Sequence, residues 1–280
     1  CTMPAIQTAA AAVVRRGFDT YLSSHNLAPN TIHIYHFTVE QYLNRYSRLT
    51  YRNLQLYKVY LIEHYKPQTV NLRIRALNSY LEYCKSDICP LSMVKVQQKT
   101  YLDKIITHAD YEYLKRRLWE DEEYSYFYLV WLTAATGVRV SELVTFRIED
   151  IKLGHKDVYS KGNKMRRVYV PTRLKCAILD WLEQEHRATG PLFLNRYGSA
   201  LSVTGVRSRL KDFAARYCLD PEVMYPHSFR HRFAKNFLKK FNDISLLADL
   251  MGHDSIETTR IYLTRSSVEQ KELLDRIITW

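Results

Sequence analysis

The stretch Pro226-His227-Ser228-Phe229-Arg230-His231-Arg232, taken with Gly252-His253 and Tyr262, sets an imidazole, a guanidinium, a second imidazole and a phenol in a fixed order. The segments between them read as helices. Residues three apart share a helix face, so His227 and Arg230 point into one site, and two cation-capable groups on one face suit a bound anion. A His-x-x-Arg pair alone is commoner on solvated helix surfaces, so the set gains weight only from matching parts elsewhere. Arg139 is one such part. It follows Tyr126 to Ala135, a nearly all-apolar run that reads as a buried helix closed by Thr136-Gly137. An unpaired charge there would be expensive, so Arg139 needs an anionic partner, either Glu142 on the same turn or a ligand.

The elements that must position these groups follow from punctuation along the chain. Phe18, Tyr21 and Leu22, at i, i+3, i+4 spacing, end a first helix. Ala28-Pro29-Asn30-Thr31 is a turn before a helix over 32–46, with Ile34, Phe37, Tyr42 and Leu43 as core candidates. A third helix covers 54–65. Pro67-Gln68-Thr69 opens a fourth over 70–84, with Leu72, Ala76, Leu77, Tyr80 and Leu81 on one side. Pro90 and the polar run 95–100 mark 87–100 as a linker. Arg73 and Arg75 on the fourth helix read equally as solubilising charges or as phosphate contacts.

From Thr107 the character changes. Thr107-His108-Ala109-Asp110 precedes a helix through Leu118 and Trp119, followed by the apolar run and by Arg139-Val140-Ser141-Glu142-Leu143 at the start of the next helix. Alternation in Asp157-Val158-Tyr159 and Arg167-Val168-Tyr169-Val170 flanks Lys161-Gly162-Asn163-Lys164, the one clear hairpin. Its tip carries Lys161 and Lys164, and its return strand adds Arg166 and Arg167, a basic loop of a kind that usually serves solubility. Helices are expected over 175–185 and 204–217, with Leu192-Phe193-Leu194 a short buried strand or extended piece between them. Phe229, Phe233, Phe237 and Phe241 recur every four residues and read as a core stripe that holds His227 and Arg230 rigid. A helix over 244–251 stops at Gly252, Ser255 caps the next, which carries Tyr262, and the apolar tail 268–280 reads as docked on its own domain or a neighbour.

Composition bounds the partners. The formal charge is +12 over 280 residues and the sequence pI is about 9.4, an excess that favours a polyanion, with nucleic acid ahead of an acidic membrane. No apolar run approaches the roughly 20 residues that span a bilayer, and the short run Ala9 to Val14 is no signal peptide, so a cytoplasmic location is expected. Five scattered cysteines fit reduced thiols, and none has the partners of a zinc site. Neither a metal nor a cofactor is expected.

With these residues assembled, the second part of the chain resembles the catalytic domain of the tyrosine recombinase (phage integrase) family. The matching text is Ala135-Thr136-Gly137-Val138-Arg139-Val140-Ser141-Glu142-Leu143, Ser160-Lys161-Gly162-Asn163-Lys164, His227-Ser228-Phe229-Arg230-His231, and Leu250-Met251-Gly252-His253 with Tyr262 nine positions on. Met251 stands where Leu is usual, and Tyr169 interrupts the common Val-Pro ending of the hairpin. The resemblance implies a mainly α fold. A core-binding domain of four to five helices over 1–94 and a linker over 95–104 would precede a mostly helical catalytic domain with a small β-hairpin over 105–280, ending in an oligomerisation tail. It implies that Tyr262 attacks a DNA phosphate to leave a 3'-phosphotyrosyl link, with His227 as base, Arg139 and Arg230 as phosphate clamps, His253 as a further donor, Lys161 as general acid and Glu142 orienting the basic groups. Double-stranded DNA bearing specific recombination sites is the implied partner, with Arg73, Arg75, Lys164 and Arg166 as candidate contacts. The implied assembly is a homotetramer on DNA or two pairs of related recombinases, which accessory DNA-bending proteins could assist. Two other readings stay open: a type IB topoisomerase-like relaxing enzyme or telomere resolvase, and a catalytically silent DNA-binding regulator.

Overall fold

Proline and threonine set the helix starts at the N-terminal end of the chain. In the computed structural model, which describes residues 17–96, 105–159, 165–253, 256–263, 275 and 278, the chain divides into two compact units, Cys1–Gln98 and Lys99–Trp280. In the first, α1 is described from residue 17 to 24, followed by α2 (Pro29–Arg45), α3 (Tyr51–His64) and α4 (Pro67–Tyr83). Pro opens both α2 and α4, where its fixed φ suits the first turn and its missing N–H is not needed. Thr50 caps α3 by accepting from the Asn53 N–H at 3.2 Å.

The core of this unit gathers Tyr42, Leu54, Tyr57, Leu61, Ile74 and Leu77, with a second cluster around Phe18, Leu22, Val39 and Tyr80. The inward face of α2 is Tyr35, Thr38, Val39 and Tyr42. Phe37 and Leu43, expected in the core, are 49% and 37% exposed, because the 3.6-residue period through Tyr35 and Tyr42 turns them outward. The supposed linker is also partly structural. Asn78 exchanges hydrogen bonds with both backbone groups of Leu91, at 3.0 and 2.8 Å, and Asn71, two turns earlier, does the same with Val94, at 2.9 and 2.8 Å. These two amides strap residues 91–94 along α4 and bury Leu91.

The second unit contains α5 (His108–Glu120), α6 (Tyr124–Thr136), α7 (Val140–Leu143), α8 (Ile148–Leu153), β1 (His155–Tyr159), β2 (Met165–Tyr169), α9 (Thr172–Gln184), α10 (Val203–Arg216), α11 (Pro226–Lys240), α12 (Ile244–Met251) and α13 (Ile256–Arg260). The fold is thus mainly α, and β1 and β2 form an antiparallel pair in which Val158 faces Arg166 and Lys156 faces Val168. Period-two alternation sends Val158, Arg166 and Val168 inward and leaves Asp157, Tyr159, Met165, Arg167 and Tyr169 outside.

α6 packs against α11, with Phe229 buried in the core that α6 helps to form. Ser228, fully buried, accepts from the Ile106 N–H at 2.8 Å and so ties the start of the unit to α11. The aromatic stripe is core only in part. Phe229 is buried and Phe233 and Phe237 are partly so, since fourfold spacing drifts about 40° per step around a 3.6-residue helix, and Phe241, 63% exposed, lies past the end of α11 in extended backbone. Leu192 and Phe193 are buried and Leu194 makes an isolated bridge to Ala200. No helix among the described residues is long and apolar enough to cross a membrane.

Candidate active site

Three described helices end on a left-handed glycine, and two of those ends point at arginines. α6 stops at Gly137 (φ 64°) and α12 at Gly252 (φ 63°), the left-handed conformation that side chains with a Cβ adopt at a cost. The Gly137 carbonyl accepts from Arg230 Nη1, and the Gly252 carbonyl accepts from Arg139 Nη2. Met251 O accepts from Arg230 Nη2 at 2.7 Å. Carbonyls at helix C-termini lack intrahelical donors and carry the negative end of the helix dipole, so the backbone itself supplies partners for the buried Arg230 and the half-buried Arg139. Neither glycine has room for a larger residue: a Cβ at position 137 would lie 2.4 Å from the Phe233 ring, and one at 252 would lie 2.2 Å from Arg166 Nε.

Glu142 is the carboxylate of this cluster. At the third position of α7 it accepts from the Arg139 backbone N–H at 2.9 Å and from Arg139 Nη1 at 3.1 Å, so one carboxylate caps the helix and aims the arginine. It also pairs with Arg166 Nη2 at 2.6 Å. Arg166, expected as a DNA contact on a basic loop, instead has a side chain only 10% exposed. Its Nε and Nη1 are buried without a hydrogen-bond partner among the described residues. Its parity with Val168 was the signal in the sequence: residues two apart on a strand share a face.

Arg230, 3% exposed, reaches His253 Nε2 at 3.0 Å. A guanidinium can only donate, so His253 Nε2 accepts and its Nδ1–H is left to donate to Thr259 Oγ1, 2.8 Å away. The expected donation from His253 to a phosphate is therefore not available until Arg230 shifts. Tyr262 lies with its ring parallel to that of His253, centroids 6.4 Å apart, and its hydroxyl is 2.6 Å from His231 Nδ1. His227 sits one turn before His231 on α11, with ring centroids 6.2 Å apart. The structure thus brings Arg139, Glu142, His227, Arg230, His253 and Tyr262 together, and adds Arg166, His231 and Thr259. Lys161, Lys164, Ser255 and most of the apolar tail lie outside the described residues.

The other expected contacts sit in the N-terminal unit. Arg75 is exposed on α4. Arg73 is only 8% exposed; it donates to Gln41 Oε1 and lies over the Tyr65 ring at 4.1 Å, which removes it from the surface where a phosphate would bind.

Three guanidiniums face one carboxylate, and the electrostatics record the imbalance. Burial, then Arg139 and Arg166, push the Arg230 guanidinium down to about 10, still charged at neutral pH. Burial, followed by Arg230, Arg139 and Arg166, holds the His253 imidazolium down to about 4. His227 is lowered too, by burial and then by Arg230, Arg207 and Arg139. The Tyr262 phenol is pushed up to about 12 by burial, against the pull of Arg230. An anion would relieve the crowding of cations. Among the described residues no group of three or more His, Cys, Asp or Glu could hold a metal ion.

The chain is similar to Tyrosine recombinase XerA of Pyrococcus furiosus, 27% identical over 275 residues that cover 92% of each chain, and to TnP I resolvase of Bacillus thuringiensis, 26% identical over 287 residues that cover 94% of this chain and 99% of the relative. Its fold is similar to that of the XerH site-specific recombinase bound to difH substrate, with a TM-score of 0.70, 19% identity and coverage of 91% of this chain and 81% of the other. Residues 98–269 match the profile of the phage integrase family, and to that family of tyrosine recombinases the chain belongs.

Proposed function

We propose that this site-specific DNA recombinase cuts one DNA strand by attack of Tyr262 Oη on a backbone phosphate, leaving the 3' end esterified to tyrosine and a free 5' hydroxyl. The observation that carries the reading is the meeting of Tyr262 with Arg230 through His253, in a cluster where Arg139, Arg166 and Arg230 face Glu142 alone among the described carboxylates. A pentavalent phosphorane gains negative charge as it forms, and guanidinium forks held by helix ends and by Glu142 are preorganised to receive it. On binding, Arg139 and Arg230 exchange carbonyl acceptors for phosphate oxygens. Lys161, on the family resemblance, protonates the departing 5' oxygen. A phosphodiester exchanged for a phosphotyrosyl ester is close to energy-neutral, so the 5' hydroxyl of another strand can reverse the step without ATP.

The N-terminal unit is assigned to gripping the duplex, with Arg75 as a contact on α4. Strand exchange between two duplexes calls for four such sites, hence four subunits or two pairs of related recombinases, with accessory DNA-bending proteins compatible with that assembly. A nicked suicide duplex, from which the 5' fragment diffuses away, tests the reading. The wild-type chain accumulates covalent protein–DNA adduct, while Tyr262→Phe binds the duplex and forms none. Adduct formation by Tyr262→Phe would move the nucleophile elsewhere.

A further inference from the structure

His231 stands in the motif beside Arg230 but has no part in the chemistry above. Its Nδ1 lies 2.6 Å from the Tyr262 hydroxyl, with ring centroids 5.5 Å apart. His227, the expected base, is instead embedded among Arg230, Arg207 and Arg139, the groups that act on its charge after burial itself. Its surroundings are those of a phosphate ligand. We propose that His231, through Nδ1, is the base that takes the phenolic proton of Tyr262, leaving His227 to the phosphate oxygens. This assignment rests on the reading of Tyr262 as the nucleophile.

The Tyr262 O–H bond breaks, its proton passes to the His231 Nδ1 lone pair, and the oxygen's electron pair forms the new bond to phosphorus. The bond from phosphorus to the 5' oxygen breaks, and that oxygen leaves with the pair and takes a proton from the general acid. In rejoining, the His231 imidazolium returns its proton to Tyr262 Oη. Acceptance requires the tautomer with the ring proton on Nε2. It also requires a neutral ring, and burial, reinforced by His227 and Arg230, holds the His231 imidazolium down to about 4. The groups that face the ring are Tyr262 beyond α13, His227 and Arg230 on α11, and His253 beyond α12. A phosphodiester entering among the arginines supplies negative charge that offsets their field, so the proton moves as the bond to phosphorus forms and not before.

Single-turnover adduct formation on the nicked duplex, at neutral and at alkaline pH, tests the assignment. His231→Ala should slow it by about a hundredfold or more at neutral pH. The loss should then shrink by roughly tenfold per pH unit as hydroxide ionises the phenol in place of the base. His227→Ala should slow the reaction with no such alkaline recovery. His231→Asn, which keeps an acceptor near the Nδ1 position, serves in the same assay if His231→Ala no longer binds the duplex, and should show the same recovery. Wild-type rates in the His231 variants at neutral pH, or a loss that alkali does not repair, would overturn the assignment. If Tyr262→Phe stays inert in those experiments, only the base is wrong; an active Tyr262→Phe would instead remove the reading beneath it.

Discussion

Two buried arginines, one in each unit, have opposite surroundings. Arg73 on α4 and Arg230 on α11 are 8% and 3% exposed. Arg73 meets neutral groups: the Gln41 amide oxygen, the face of Tyr65 and, at 5.5 Å, the Phe37 ring. Aromatic faces and an amide absorb a guanidinium without requiring another ion. Arg230 meets carbonyls and an imidazole, and Arg139 and Arg166 oppose its charge. Its fold supplies donor satisfaction but leaves positive charge uncompensated. A buried cation accommodated by neutral dipoles and aromatic faces of its own fold is structural, whereas one crowded by like charges is completed by an incoming anion.

The comparison breaks most visibly through chemistry. Arg230→Lys should cut adduct formation at saturating protein by on the order of a thousandfold, because a point charge cannot replace a fork that holds two oxygens, while duplex binding persists. Near-normal rates would show that Arg230 is only another Arg73. The reciprocal change, Arg73→Met, should lower the stability of the N-terminal unit by about 1–3 kcal/mol in denaturant unfolding. It should leave single-turnover chemistry on saturated protein within a few-fold, and abolished cleavage in a folded variant would erase the distinction.

A smaller effect sharpens the contrast through pH. His231 and His253 are both held down to about 4 from an ordinary 6.5, so the folded unit binds fewer protons than the unfolded chain between those values. Their stabilisation is present above pH 6.5 and is lost as pH falls toward 4. The melting temperature of the C-terminal unit should fall by on the order of ten degrees across that window, and His253→Gln should flatten the fall. An unchanged slope in that variant would mean that His253 is not held neutral by the cluster.

What could be read in the sequence was what is encoded locally. Gly137 and Gly252 announce helix ends because only a residue without a Cβ takes φ near 64° freely, and His227 and Arg230 share a face by helical periodicity alone. The convergence of Arg139 and Tyr262 came from resemblance, since no local rule joins residues on α7 to residues beyond α13. Arg166 reads as a surface residue by its charge, but its parity with Val168 marks the inward face, and register decides burial on a strand. The Asn71 and Asn78 straps escaped because their partners, Val94 and Leu91, are 23 and 13 residues away. Nothing in an asparagine's neighbours reveals that its amide will stand in for a β ladder. On α2, apolar character alone suggested Phe37, whereas the buried face uses Thr38, whose hydroxyl donates to the Ile34 carbonyl at 2.8 Å and so needs no solvent.

The central claim is that one phenol and the arginine cluster meet at a single phosphate. The most direct measurement is peptide mapping by mass spectrometry of the adduct trapped on a nicked duplex. The account predicts a nucleotide joined through its 3' phosphate to Tyr262; a 5' linkage, or attachment to any other side chain, would contradict it.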